Sequence, residues 1–226
     1  MTQALVLLSG GQDSTTCLYW ATQEFDEVYT VSFEYGQRHM QQEIRAASHV
    51  SQMSRARLHL VLPLQVVSVI GNSALVGKGD VNEKGANGLP LSFVPGRNIL
   101  FLTVATMWAY KLGIHYLVGG MCQTDYSGYP DCRREFVDKM QETLSEGMSY
   151  PIAIHTPLMW LTKAQTVNMA HMLKGCWEAL AYTHTCYEGK FPPCGKCPAC
   201  QLRAKGFKEA GYDDPLLVRY ATILQH

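Results

Sequence analysis

Residues 9–14 read Ser9-Gly10-Gly11-Gln12-Asp13-Ser14, directly after the apolar run 4–8 and directly before Thr15-Thr16-Cys17-Leu18. Two glycines allow a tight turn and let the backbone approach a ligand with no Cβ in the way. The first N–H groups of the helix that follows have no intrahelical partner and sit at its positive dipole end. Strand, glycine turn and helix start together make a cradle for phosphate. Leu8, at the strand end, and Cys17 and Leu18, inside the helix, complete the stretch that would wrap a nucleotide. The run lacks the Gly-Lys-Ser/Thr of a P-loop and the three spaced glycines of a dinucleotide fingerprint. The alternative is a plain Gly-Gly turn with Asp13 or Ser14 capping a helix.

A second constellation is Cys186, Cys194, Cys197 and Cys200, spaced C-x7-C-x2-C-x2-C. Sulfurs in C-x2-C steps can converge on one ion, and four thiolates form the tetrahedral set of a closed structural zinc site. The same count serves an iron–sulfur cluster, which spacing alone leaves open. Zinc is the preferred reading, one ion per chain, because a closed four-thiolate site pins an irregular tail.

Three polar stretches and one lysine stand where a sheet of this kind would present a ligand. Arg38 and His39 follow the strand-like run 28–33 and suit a phosphate or carboxylate, or form an ordinary strand-to-helix turn. Arg97 opens a helix after Pro95-Gly96, where the dipole disfavours a cation, so an anionic partner is expected. Residues 119–133 carry Asp125, Tyr129 and Asp131, carboxylates for magnesium or substrate amines and tyrosines for stacking on a flat ring. Asp131 is equally placed to cap the next helix. Lys163 suits the charge of an α-phosphate, or a solvated helix face.

The elements that must position these residues alternate between strand and helix patterns. Strands are expected at 4–8, 28–33, 58–62, 115–119 and 152–155, and helices at 14–23, 41–53, 97–112, 133–144 and 163–173. That alternation predicts an α/β fold, a doubly wound, mainly parallel five-stranded sheet. Residues 1–180 would form the nucleotide domain and 181–226 a zinc-binding appendage packed on it. Residues 77–88 hold four glycines and read as a mobile loop or a tolerated insertion.

Composition narrows the functions. The chain has 226 residues, with 19 basic against 19 acidic, so no basic surface points to nucleic acid. Met1 is followed almost at once by a core strand, and no apolar run reaches the length of a membrane span. Eight cysteines in such a chain point to metal rather than disulfides. A cytoplasmic setting is expected.

These residues closely resemble the 7-cyano-7-deazaguanine synthase family, within the ATP pyrophosphatases of PP-loop, HUP-like fold. The matching pieces are residues 9–18, Tyr35-Gly36-Gln37-Arg38-His39, Val94-Pro95-Gly96-Arg97-Asn98, residues 124–133 and the four cysteines. The gap from Cys186 to Cys194 is slightly short for the family, which touches loop shape and not the ligand set. The resemblance implies ATP, magnesium and small-molecule substrates, namely 7-carboxy-7-deazaguanine and ammonia. It further implies a homodimer, with no nucleic acid and no membrane. Asp13 would then serve magnesium, and Arg97 and Lys163 charge near the reacting carboxylate. Asp125, Tyr129 and Asp131, with Arg38, would serve the purine-like ring and its substituents. Two rivals share parts of this pattern: a tRNA sulfurtransferase, which needs a reactive cysteine or an iron–sulfur cluster, and a non-catalytic zinc-stapled adenine-nucleotide sensor.

Overall fold

The computed structural model describes every residue except 71, 72, 78, 87, 125–127, 225 and 226. Its strands are β1 (Gln3–Leu7), β2 (Glu27–Glu34), β3 (Leu58–Pro63), β4 (Tyr116–Val118) and β5 (Ala153–His155). The helices are α1 (Gln12–Glu24), α2 (Met40–Met53), α3 (Val66–Ile70), α4 (Arg97–Leu112), α5 (Arg134–Gly147), α6 (Lys163–Met172), α7 (Cys176–Leu180), α8 (Pro198–Ala210) and α9 (Pro215–Ile223). All strand pairs are parallel, in the order β3-β2-β1-β4-β5.

That order follows from the side chains. β1 is buried on both faces, so it reads as a continuous apolar run and must lie inside the sheet. Leu5 joins Val31, Phe33, Leu102 and Leu117 on the face covered by α4 and α5. Ala4, Val6 and Leu8 join Leu18, Val50 and Val167 on the opposite face, under α1, α2 and α6. β3 is one of the two edges: Leu58 is exposed, and Pro63 ends the strand where a missing donor does no harm. The expected five strands and five helices are therefore all present, with ends shifted by a few residues.

The chain leaves β1 toward β2 and β3, then returns across β1 to lay down β4 and β5. The reversal opens a crevice beyond the carboxyl ends of β1 and β4, where such sheets take their ligands. Both strands end in glycine turns there, Ser9-Gly10-Gly11 and Gly119-Gly120.

Gly10 fixes how tightly the first turn packs. Its φ is +79°, and a Cβ there would lie 2.6 Å from both the Ala47 amide nitrogen and the Glu43 carbonyl oxygen of α2. Replacing Gly10 by Ala combines left-handed backbone strain with a clash against rigid backbone. We expect a loss of about 3 kcal/mol in urea unfolding. A Gly10→Ala protein as stable as the wild type would show that α2 does not bear on this turn.

Candidate active site

The 9–14 turn is tied internally before any ligand arrives. The Ser14 hydroxyl donates to the Gly11 carbonyl at 3.2 Å and accepts from the Ser9 amide at 3.2 Å, and the two serine hydroxyls lie 3.0 Å apart. Gly11 is the extended residue before α1, with φ −82° and ψ 172°, so the first-turn amides of α1 open onto the crevice. On the far side the His184 amide donates to the Gly10 carbonyl at 2.8 Å. The turn is thus held between α2 and the segment after α7.

Asp13 and Lys163 meet across 150 residues. The Lys163 ammonium donates to both Asp13 carboxylate oxygens, at 2.9 and 2.7 Å. Lys163 is the first residue of α6, whose start is fixed by a capping box between Thr162 and Gln165. Its side chain is 8% exposed and that of Asp13 32%. The ammonium therefore stands at the turn on a buried stem.

A cavity of about 330 Å³ runs along this crevice. Ser9, Gly11, Asp13 and Lys163 line it, and so do Arg97, Tyr129 and Cys132. Arg97 points its guanidinium at the Tyr35 hydroxyl, 3.5 Å away, and lies over the Tyr35 ring at 6.0 Å. Burial works against its charge, but Tyr35 and Asp131 outweigh that and hold it cationic. Its Nε, buried, has no hydrogen-bond partner among the described residues. An anionic group in the cavity would supply one.

The other predicted site residues fall into three places. Tyr129 lines the cavity, its hydroxyl 2.7 Å from that of Ser92 and its ring beside Phe93. Asp131 is buried behind the wall and is not one of the lining residues. Its carboxylate accepts the Asn98 amide of α4 at 3.3 Å, and burial pushes its carboxyl above the usual range despite Arg97. Arg38 turns away from the cavity. It donates to the carbonyls of Gly77 and Gly79 at 2.7–3.0 Å and so ties down the glycine-rich 77–88 segment. Asp125 lies outside the described residues.

His39 belongs to a buried network that sequence reasoning met only in part. Its Nε2 is 3.2 Å from Glu43, and the Gln37 amide donates to the other Glu43 oxygen at 2.9 Å. Both His39 and Glu43 line the cavity. Glu43, one turn into α2, resembles any solvent-facing helix carboxylate in the sequence. The residue at i−4 was the available sign.

The four cysteine sulfurs lie within 4.8 Å of one another. A tetrahedral Zn–S₄ site has sulfurs about 3.8 Å apart, so small adjustments suffice to close one. The Cys194 amide donates to the Cys186 sulfur, and the Lys196 and Cys197 amides donate to that of Cys194, at 3.3–3.4 Å. The hydrogen bond between Cys197 and Cys200 pulls the first thiol down and pushes the second up. The donor set fits a four-thiolate metal site.

Sequence and structure comparisons agree with this geometry. The family model "Queuosine biosynthesis protein QueC" matches residues 3–211. The chain belongs to this family. It is 49% identical over 223 residues to the 7-cyano-7-deazaguanine synthase of Laribacter hongkongensis, covering 97% of this chain and 96% of that one. Identity to the enzyme of that name from Chromobacterium violaceum is 50% over 222 residues, 96% and 94% of the two chains. The corresponding figure for Bacillus subtilis is 46% over 209 residues, 92% and 94%. Among solved structures, a predicted tRNA methyltransferase subunit from Methanocaldococcus jannaschii superposes with a TM-score of 0.52 at 16% identity, over 76% of this chain and 75% of that chain. A 4-thiouridine synthetase in complex with RNA and ATP gives 0.50 at 14%, over 96% and 52%. At those identities the likeness is one of fold.

In this QueC-family chain the Glu43 network is open to a pH test. Burial raises the Glu43 carboxyl, but His39 and Gln37 together pull it below the ordinary 4.5. A depressed folded value means stability that is present above pH 4.5 and lost as pH falls through the folded value. Glu43→Gln should therefore flatten the acid side of a plot of urea midpoint against pH. Parallel acid limbs for the two proteins would exclude Glu43 as the group responsible.

Proposed function

We propose that this QueC-family enzyme uses the cavity to convert 7-carboxy-7-deazaguanine and ammonia into 7-cyano-7-deazaguanine, with two ATP molecules leaving as AMP and pyrophosphate. The observation that carries the reading is a single cavity walled by the Ser9–Ser14 turn and Lys163 and also by the buried cation Arg97. A polyphosphate site and a carboxylate site thereby share one space.

A carboxylate is a poor electrophile, and adenylation corrects that. A substrate carboxylate oxygen attacks the α-phosphorus, the α–β bridging bond breaks, and pyrophosphate departs. Ammonia adds to the acyl carbon and AMP leaves, giving the amide. The amide oxygen then attacks a second ATP, again releasing pyrophosphate, and the amide nitrogen gives up one of its two protons. Loss of AMP with the remaining N–H proton leaves the nitrile. The 9–14 turn and the α1 amides hold the departing diphosphate, whose charge they stabilise as it develops. Lys163 faces the α-phosphate, and Arg97 orients the carboxylate as a hydrogen-bonded anion. Magnesium, when bound, neutralises phosphate charge, with Asp13 to hold it. Tyr129 offers a ring face to the deazaguanine, Asp131 keeps Arg97 and the α4 start in place, and Asp125 would serve the purine-like ring.

Four-thiolate zinc suits Cys186, Cys194, Cys197 and Cys200, which would anchor the 181–226 region on the 1–180 domain. A homodimer in the cytoplasm, binding no nucleic acid directly, is part of the same reading. No helix among the described residues is long and apolar enough to cross a membrane. The sulfurtransferase alternative needs an activated thiol by the nucleotide. Burial pushes the cavity-lining Cys132 up to about 12, the opposite of activation.

Asp13→Asn should remove substrate-dependent release of AMP and pyrophosphate, by at least about 100-fold in kcat/KM, while leaving the metal bound. Wild-type turnover in that variant would refute the Asp13 assignment. The metal has its own check. Elemental analysis should give one zinc per colourless chain, and Cys197→Ser should lose it. A brown protein carrying iron and sulfide would instead establish a cluster.

A further inference from the structure

Gly206 sits in the middle of α8 at a position with no evident use for glycine. It caps nothing, and its φ is not positive. A mid-helix glycine costs about 1 kcal/mol against alanine. Packing supplies the reason. A Cβ on Gly206 would stand 2.3 Å from Lys163 Cγ, 3.1 Å from its Cβ and 3.3 Å from its carbonyl carbon. The stem of Lys163 lies flat on bare α8 backbone.

Neither partner is free to move apart. The Thr162–Gln165 capping box fixes the α6 start that carries Lys163. Helix α8 is fixed by Arg203, one turn before Gly206. The Arg203 guanidinium donates to both Asp214 oxygens at 2.7 and 2.8 Å, and to the Thr183 and Thr185 hydroxyls at 2.8 and 2.9 Å. Arg203 and Gly206, three residues apart and both buried, lie on the same side of the helix. A methyl group at 206 would have to push the Lys163 stem back by about 1 Å to reach ordinary contact.

We propose that Gly206 is a positioning residue for nucleotide binding: the bare backbone of α8 sets the Lys163 stem so that its ammonium stands at Asp13 and the 9–14 turn. The proposal rests on the reading that Lys163 serves ATP, and its test separates the two. MgATP binding is measured by titration calorimetry on the full-length protein for Lys163→Ala, Gly206→Ala and the double variant. Lys208→Ala, on the exposed side of α8, is the control.

Gly206→Ala should weaken MgATP binding on the order of 10–100-fold, the scale of a 1 Å misplacement. Its metal content should stay unchanged, and its melting temperature should not fall in step with affinity. The double variant should match Lys163→Ala within about twofold, because a residue acting only through Lys163 adds nothing once that side chain is gone. Wild-type affinity in Gly206→Ala, or additive losses in the double variant, would overturn the proposal. Wild-type affinity in Lys163→Ala would instead overturn the reading beneath it. If Gly206→Ala is insoluble alone, a soluble double variant still supports the clash with Lys163, and a double variant that also fails refutes it.

Discussion

The close approach of α2 to Gly10 is the constraint on which the rest of the site depends. Backbone meets backbone there, with no side chain to give way. Because Gly10 is pinned from that side, its carbonyl faces away to accept the His184 amide. The 9–14 turn therefore has one shape, and the α1 amides one direction. Glu43 sits at the same contact, so the helix that shapes the turn also places a half-buried carboxylate beside the cavity. A carboxylate drawn partly out of water is costly unless it is paired, and His39 and Gln37 together satisfy it. Fold and electrostatics are settled by the same few residues.

The C-terminal stretch makes the second half of the clamp. Arg203 is a fully engaged buried cation, and its partners Thr183 and Thr185 flank His184, which touches the turn. Breaking such a pair by removing one partner typically costs about 3–5 kcal/mol, since the other charge is stranded. Cys186, Cys197 and Cys200 pack into the same apolar cluster as Leu5, Phe33 and Leu117. The cysteine cluster is thus built onto the face of the sheet that the cavity adjoins, rather than hung from a loose tail.

Most of this fold is legible in the sequence because its signals are local. The run 4–8, the β-branched 28–33 and the uniformly apolar 97–112 each carry their own period and their own glycine or proline boundary. What escaped is what depends on distant partners. Helices α7, α8 and α9 have weak or mixed patterns, and α8 begins inside the cysteine cluster, where spacing speaks of metal and hides the helix. The 9–14 turn and Arg97, singled out in the sequence by residue type, line one cavity, and the four cysteines singled out by spacing converge. Arg38 reads in sequence like Arg97, yet it spends its donors on the Gly77 and Gly79 carbonyls. No pattern of residue types separates those two arginines; only the loop that returns to meet Arg38 does.

The two cations of the cavity are each set against side chains of the protein itself. Arg97 leans on Tyr35 and on Asp131 behind it, and Lys163 rests on Asp13. Each cation has a partner at its back or side. The two arrangements differ in kind. Asp131 is buried behind the wall, whereas Asp13 stands in the cavity with a third of its side chain exposed. On the proposed reading, a phosphate arriving beside Lys163 would compete directly with Asp13 for the ammonium. On the same reading, that exchange would free the Asp13 carboxylate to serve a magnesium ion on the phosphates.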